Sequence, residues 1–510
     1  MKVVLDFIKK NYKVLLFTLF LVVFNYFSFD LLLKNETAEF VIENKNIILL
    51  IFTVIEILLF IVINILLKKE IPEHKLFLTL VIPIGIIYML LIPIGRVPDE
   101  KNHFLRAYEI SEGHLISDKS ENGIGGQKLS NDVGEIFSVK ENYMKYDDLF
   151  NNIKIKKSSD KSFFEFANMS LYSFVCYIPQ VVGVLIGKIF NLPTLAIAYL
   201  GRITNYIVWV MLMYYAIKLI PFKKTLLLAI AFMPMMMQEA ISLSADALTN
   251  GVAIFLISYV LYLKNSKIKK IGIKESIILS LSCILMSLCK IVYLPICLIL
   301  FLLPSKLFKS NKDKIIKIVS LAVIVVALNL FWLSISFSFL VEFMPNVNSP
   351  EQVKYLLTHP VGYIKVIFNS INSNVTLYLF NIIGFSLCYF DVNLSMVYVL
   401  MYLVLIAVLM VVDSDKRIGF NEKILTFIIV MATLALICTS LYVQWTALAA
   451  EIIDGIQGRY FIPLLLPLAL LVNVKDLNLK DCKNKLNYVV CNLIIFISIY
   501  SCMVIYFYHI

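Results

Sequence analysis

The sequence predicts an all-α polytopic membrane protein with about 11–14 membrane segments, and three observations carry that reading. Of its 510 residues, 60% are apolar and only 16% charged, against about 45–50% and about 25% in an ordinary soluble domain. Mean hydropathy is +0.85. Apolar windows of about 20 residues, enough for a helix to cross the roughly 30 Å hydrocarbon layer, recur along the whole chain. A globule of this length cannot bury so much apolar surface, so a soluble enzyme is excluded. The net charge of +11, from 46 Lys plus Arg against 35 Asp plus Glu, would suggest nucleic acid in a soluble protein. In a membrane protein it points to basic cytoplasmic loops, and no nucleic-acid partner is expected.

The first window, 13–33, follows Lys9, Lys10 and Lys13 and has no small-x-small cleavage site behind it. It reads as a retained anchor rather than a signal peptide. Windows 47–67 and 76–95 come next. The basic flank keeps the N-terminus cytoplasmic, and three crossings deliver the chain outside at Arg96. Segment 96–168 is then a large extracytoplasmic loop. Its 11 Lys plus Arg and 13 Asp plus Glu balance to −2, whereas 264–274, 305–317 and 475–485 are Lys-rich.

Windows 169–187, 194–219, 224–241 and 245–263 lie between that outer loop and the basic loop at 264. An odd number of crossings is needed there, so one of the four is a half-crossing, and the polar interruption at Gly201-Arg202 is the suspect. Stretch 275–303 is long for one span and short for two, with Lys290 in its middle. Window 315–340 leads to a second outer loop, 341–375, and 376–390 reads as a partial or re-entrant helix. Windows 394–412, 424–443, 460–474 and 487–508 complete the chain, with 444–459 and Ile510 outside. The expected organisation is an N-terminal transmembrane pair (1–75), a main membrane domain (76–475), and a cytoplasmic loop with a last transmembrane helix (476–510).

Several chemistries find no support. The nine cysteines, Cys176, Cys283, Cys289, Cys297, Cys388, Cys438, Cys482, Cys491 and Cys502, include no C-x-x-C pair and none in the outer loops, so neither a disulfide framework nor a Cys-ligated zinc is expected. No nucleotide-binding glycine loop and no 20-to-50-residue repeat occurs.

Polar residues at or near membrane depth are costly and need a reason. Four places qualify, all on the predicted outer side. In RVPDEKNHFLRAYEISEGHL (96–115), Pro98 and Gly113 bracket a short helix. Phe104, Tyr108, Ser111 and Leu115 form a mostly apolar face that suits the membrane interface, and Asp99, His103 and Arg106 share another. The helix N-terminus favours ionised Asp99 and Glu100, as a general base requires. The bland reading is that the two acids cap the helix and balance Lys101 and Arg106.

In MPMMMQEAISLSADALTNG (233–251), Glu239 and Asp246 form either a polar turn or a binding site, and the methionines read as packing. Lys290, in LCKIVYLP, is either a snorkelling lysine or a phosphate ligand at the turn of a hairpin. In AEIIDGIQGRYFIPLLLPL (450–468), Asp454, Gln457 and Arg459 precede a span. An outer Arg459 runs against the positive-inside preference and so favours phosphate binding, while Tyr460 and Phe461 serve equally as interfacial anchors. An acidic pair with several cations above the bilayer suits group transfer from a lipid-linked phosphate donor to an acceptor hydroxyl.

The strings PDEKNHFLRAYEISEGHL, SADALTN and QGRYFIPLLLPL resemble signatures of the bacterial membrane family catalogued as domain of unknown function 2142, over residues 76–475. That family is thought to be similar to the GT-C glycosyltransferases, which use polyprenyl-phosphate sugars and carry an acidic pair in the first outer loop. The resemblance implies a GT-C-like fold, with Asp99 and Glu100 as the catalytic match and one of them, Asp99 by choice, as the base. His103, Arg106, Asp246, Lys290, Gln457 and Arg459 are the expected substrate-binding groups. The implied partners are a polyprenyl-phosphate-sugar donor, a cell-envelope glycan acceptor and the lipid bilayer of the cell membrane. The acidic pair also leaves room for Mg²⁺ or Mn²⁺. A departure from GT-C enzymes is the lack of a large extracytoplasmic domain. Two other functions compete: a flippase for a lipid-linked sugar, and a non-catalytic subunit of envelope assembly.

Overall fold

The computed structural model describes residues 2–34, 39–140, 143–341, 344, 346–413, 418–472 and 483–509. It is 74% helical, and nine of its helices are long and apolar enough to cross a membrane. The protein is an all-α polytopic membrane protein.

Helices α1 (Lys2–Lys34), α2 (Glu39–Lys68) and α3 (Glu73–Leu91) run up, down and up, and α3 delivers the chain to the first loop. That loop contains α4 (Glu100–Ser111), strands β1 (Asp118–Lys119), β2 (Gly125–Ser130) and β3 (Lys161–Glu165), and short helices α5 (Asn131–Glu135), α6 (Tyr146–Asn152) and α7 (Ala167–Ser170). The strands form one antiparallel sheet in the order β1-β2-β3. The end of the bundle that carries this loop is called the loop end below.

After a 3₁₀ turn, Phe174–Tyr177, come α8 (Ile178–Ile189) and the 26-residue α9 (Thr194–Leu219). The half-crossing is α8, not the Gly201-Arg202 region. Both flanks of α8 stay at the loop end: Asn168 donates to Asp99, and Lys188 Nζ to Ser111. Its glycines let it lie along the first half of α9, since a Cβ at Gly183 would stand 2.2 Å from Leu200 O. Gly201 and Arg202 sit inside the unbroken α9. The interrupted traverse is the next one, where α10 (Lys224–Ala231) breaks before Pro234 and continues as α11 (Pro234–Ala240). Three traverses, α9, α10–α11 and α12 (Asp246–Asn265), therefore lie between the first loop and segment 264–274.

The 275–303 stretch is two legs. Helix α13 (Ile273–Cys289) ends at Lys290, and a 3₁₀ helix, Ile291–Leu302, containing Pro295 returns the chain. At about 2 Å per residue against 1.5 Å, twelve 3₁₀ residues reach further than an α-helix would. Then come α14 (Asn311–Ser336), α15 (Ser349–Thr358) and α16 (Pro360–Ile383). The expected second loop, 341–375, is thus largely helical. Although long, α16 lies across the loop end: Tyr363 meets Thr439, Ile453 N donates to Ser370, and Gly384 abuts Met235. A small hairpin, β4 (Ser386–Leu387) and β5 (Val392–Asn393), precedes α17 (Met396–Val412) and α18 (Phe420–Gln444). A 3₁₀ segment, Gly458–Leu464, leads into α19 (Leu465–Leu471), and α20 (Lys483–Tyr508) returns to the loop end. The Lys-rich segment 475–485 lies largely outside the described residues.

The main apolar core runs through α3, α9–α13, α17 and α20, and includes the buried Met233, Met235, Met236 and Met237. A second core under the first loop joins Phe104, Leu105, Leu129 and Val133 to Leu195 and Ala198 of α9. The face of α4 assigned to the membrane interface is therefore buried. Phe104 and Tyr108 pack against protein, and α4 stands along α8 rather than lying flat on a bilayer, because the first loop supplies enough apolar surface to cover it.

Candidate functional site

The turn from α3 to α4 sets the site. Glu100 is 1% exposed, and both its oxygens are saturated: Oε1 accepts from Arg202 Nε at 2.7 Å and Leu243 N at 3.1 Å, Oε2 from Arg202 Nη2 at 2.7 Å and Gly95 N at 2.8 Å. Arg202 also donates to Ile92 O and Pro93 O. This bidentate pair ties the turn to α9 and to the α11–α12 corner. Arg202 is eight residues into α9, so the turn sits about 12 Å below the loop-end tip of that helix.

Pinned beside it, Asp99 adopts a left-handed backbone, φ 63°, which is uncommon for a residue with a side chain and occurs at functional sites. It occupies the N-cap position of α4 but makes no capping bond, so the capping account of this acid does not hold. Its Oδ1 accepts from Asn168 at 3.3 Å, its Oδ2 lies 3.8 Å from Arg459 Nη2, and its side chain is 37% exposed.

Four distant segments converge on this point. Arg459 also bonds Glu239 Oε1 at 3.2 Å and lies against the Tyr460 ring. Lys290 forms a close ion pair with Asp246 and sits 5.7 Å and 5.3 Å from the ring centres of Tyr172 and Tyr460. His103, buried, shares a 2.8 Å hydrogen bond with Tyr177 OH. Burial pushes its imidazole down to about 3; Asp246 opposes the shift, and Lys290 and Arg459 add to it. His103 is therefore neutral in ordinary conditions. Gln457 precedes Arg459 by two residues at the start of the Gly458–Leu464 segment. Between them, Gly458 is wedged onto α16, where a Cβ would meet Ile382 N and Tyr378 O at 2.6 Å.

Of the residues expected in the site, Asp99, His103, Asp246, Lys290 and Arg459 come together, with Gln457 beside them. Arg106 does not. It points up α4 into an ion pair with Glu109 and bonds to Ser117 and Leu115 O, because the turn after α4 needs a donor there. Glu100 is close by but fully engaged with Arg202, which leaves it no part in proton transfer. That engagement also removes the acidic pair as a cage for Mg²⁺ or Mn²⁺, and among the described residues no group of three or more His, Cys, Asp or Glu gathers at metal-binding range. Asp454 is exposed. Sequence reasoning passed over Arg202 as a break in a span, although an arginine in an apolar run is the kind of signal that singled out Lys290. Arg96 was passed over too. It bonds Asp391 through both carboxylate oxygens at 2.7 Å and donates from Nε to His509 at 2.8 Å.

Fold and site together define a polytopic helical membrane protein with a recessed cluster of ion pairs at one end of the bundle. A family model described as "Predicted membrane protein (DUF2142)" matches residues 80–468, and the chain belongs to that family. No curated protein and no solved structure matches it.

Proposed function

We propose that this protein is a membrane glycosyltransferase of the GT-C kind, moving a sugar from a polyprenyl-phosphate donor to a hydroxyl of a cell-envelope glycan. The observation that carries the reading is the singular state of Asp99. Glu100, Glu239 and Asp246 are each buried against a cation, whereas Asp99 is partly exposed and 3.8 Å from its nearest one. A general base must be ionised, reachable and unburdened. In the reaction Asp99 takes the acceptor hydroxyl proton as the new C–O bond forms at the anomeric carbon. The bond from that carbon to the phosphate oxygen breaks, its electron pair stays on the phosphate, and Lys290 and Arg459 balance the charge.

In this reading the loop end faces the extracytoplasmic side. Lys264, which pairs with Glu422, and Lys267, Lys269 and Lys270 lie at the other end, as cytoplasmic loops prefer. Asp99→Asn keeps size and polarity but cannot take the proton. The variant is expected to express and insert normally while the envelope glycan loses the modification; an unmodified phenotype in that strain sinks the proposal. Vesicles containing labelled lipid-linked sugar separate transfer from translocation, because a flippase moves the lipid without releasing sugar to an acceptor.

A further inference from the structure

Three polar atoms in the cluster are buried with no hydrogen-bond partner: Glu239 Oε2, Arg459 Nε and Gln457 Oε1. Such atoms are rare in native interiors because each forfeits its hydration for nothing. Two of the three are oxygens that need a donor, and the third is an N–H that needs an acceptor. A phosphodiester offers acceptors only and satisfies one of the three. A pair of adjacent hydroxyls offers both kinds and satisfies all of them.

The charges agree. Asp99, Glu239 and Asp246 stand against Lys290 and Arg459, and His103 is neutral, so the cluster carries one net negative charge. That disfavours any anionic group beyond the phosphate. The Tyr460 ring beside Arg459 gives a flat face of the kind that packs on sugar C–H groups. The subsite is also rigid, because Gly458 sits in backbone contact with α16.

We infer that Glu239, Gln457 and the Nε edge of Arg459 form a subsite for the vicinal hydroxyls of a neutral sugar, distinct from the phosphate contact at Lys290. This deepens the transferase reading, since the sugar held would be the one transferred, but it is tested by binding alone.

The full chain in nanodiscs is probed by saturation-transfer NMR with methyl α-glucoside, methyl α-galactoside, methyl α-mannoside and methyl α-glucuronide. At least one neutral glycoside should receive saturation, and the glucuronide about fivefold less or none, with the neutral signal falling about fivefold in Glu239→Leu and Gln457→Leu. Gln457→Leu removes no charge, so it remains informative where Glu239→Leu fails to fold. The inference is overturned if no neutral glycoside binds, in which case the three atoms hold only water. It is also overturned if the glucuronide or inorganic phosphate binds best, or if the signal survives Gln457→Leu. Glycoside binding alongside a silent Asp99→Asn would leave the subsite standing and remove the transferase, and the opposite pair of results would do the reverse.

Discussion

Replacing Arg202 by Met tests whether the turn bearing Asp99 is held by its buried ion pair. Both partners are 0% exposed at the side chain. The substitution strips Glu100 of two 2.7 Å hydrogen bonds and leaves it only the amides of Gly95 and Leu243. Ile92 O and Pro93 O lose their donor as well. Orphaning one member of a buried pair costs about 3–5 kcal/mol. Glu100→Gln leaves a neutral acceptor for the same amides and should cost less, and the double variant should cost less than the sum of the two, with a coupling of about 1–3 kcal/mol. Unfolding by SDS titration in mixed micelles, followed by tryptophan fluorescence, reads this directly, since Trp209 is buried on the same helix. A cost below about 1 kcal/mol for Arg202→Met, or strict additivity in the cycle, would show that the turn is held by packing instead.

Lys290→Met should destabilise by about 2–4 kcal/mol through the uncompensated Asp246, and Asp246→Asn in the same chain should restore part of that in the same titration. Gly458→Ala forces a methyl group into the α16 backbone, so a loss of roughly 1–3 kcal/mol and poor yield are expected; wild-type thermal stability would contradict the close approach. Acid should weaken the fold through His509, whose imidazole is pushed down to about 4, chiefly by burial, with Arg96 adding and the Ile505 carbonyl opposing. Its folded value lies below the ordinary 6.5, so its contribution is full above that pH and is lost as pH falls from about 6.5 to about 4, at most roughly 3 kcal/mol. His103 acts in the same direction. Unfolding midpoints between pH 7.5 and 4.5 should therefore fall more steeply in the wild type than in His509→Gln, and equal slopes would remove His509 from the account.

Much of the site could be read from residue types. An apolar chain makes each ionisable residue conspicuous, so Asp99, Asp246, Lys290 and Arg459 stood out, and they converge at one place although 360 positions separate the first from the last. What could not be read was the pairing. Whether Arg459 meets Glu239 or Asp246 depends on how α11 and the Gly458–Leu464 segment are stacked, and nothing local to either segment fixes that. The posture of α4 was misread for a related reason. An apolar stripe is equally satisfied by lipid and by protein, and only the distant Leu129, Val133 and Leu195 decide which one covers it. The choice between α8 and Gly201-Arg202 as the half-crossing was misread because Arg202 interrupts hydropathy without interrupting the helix, its charge being cancelled by a residue 102 positions earlier.

Arg96 completes its partners only with the last helix. His509 follows α20, which packs on α1, α2 and α3 and lies beyond the stretch matched by the family model. During synthesis Arg96 enters the membrane boundary long before His509 exists, so the turn next to Asp99 holds an incompletely paired guanidinium until translation is nearly over. A chain stopped before α20 would carry that defect permanently. Membrane quality control recognises such unpaired polar groups, and an expression fragment cut at the family boundary should be degraded rather than merely inactive.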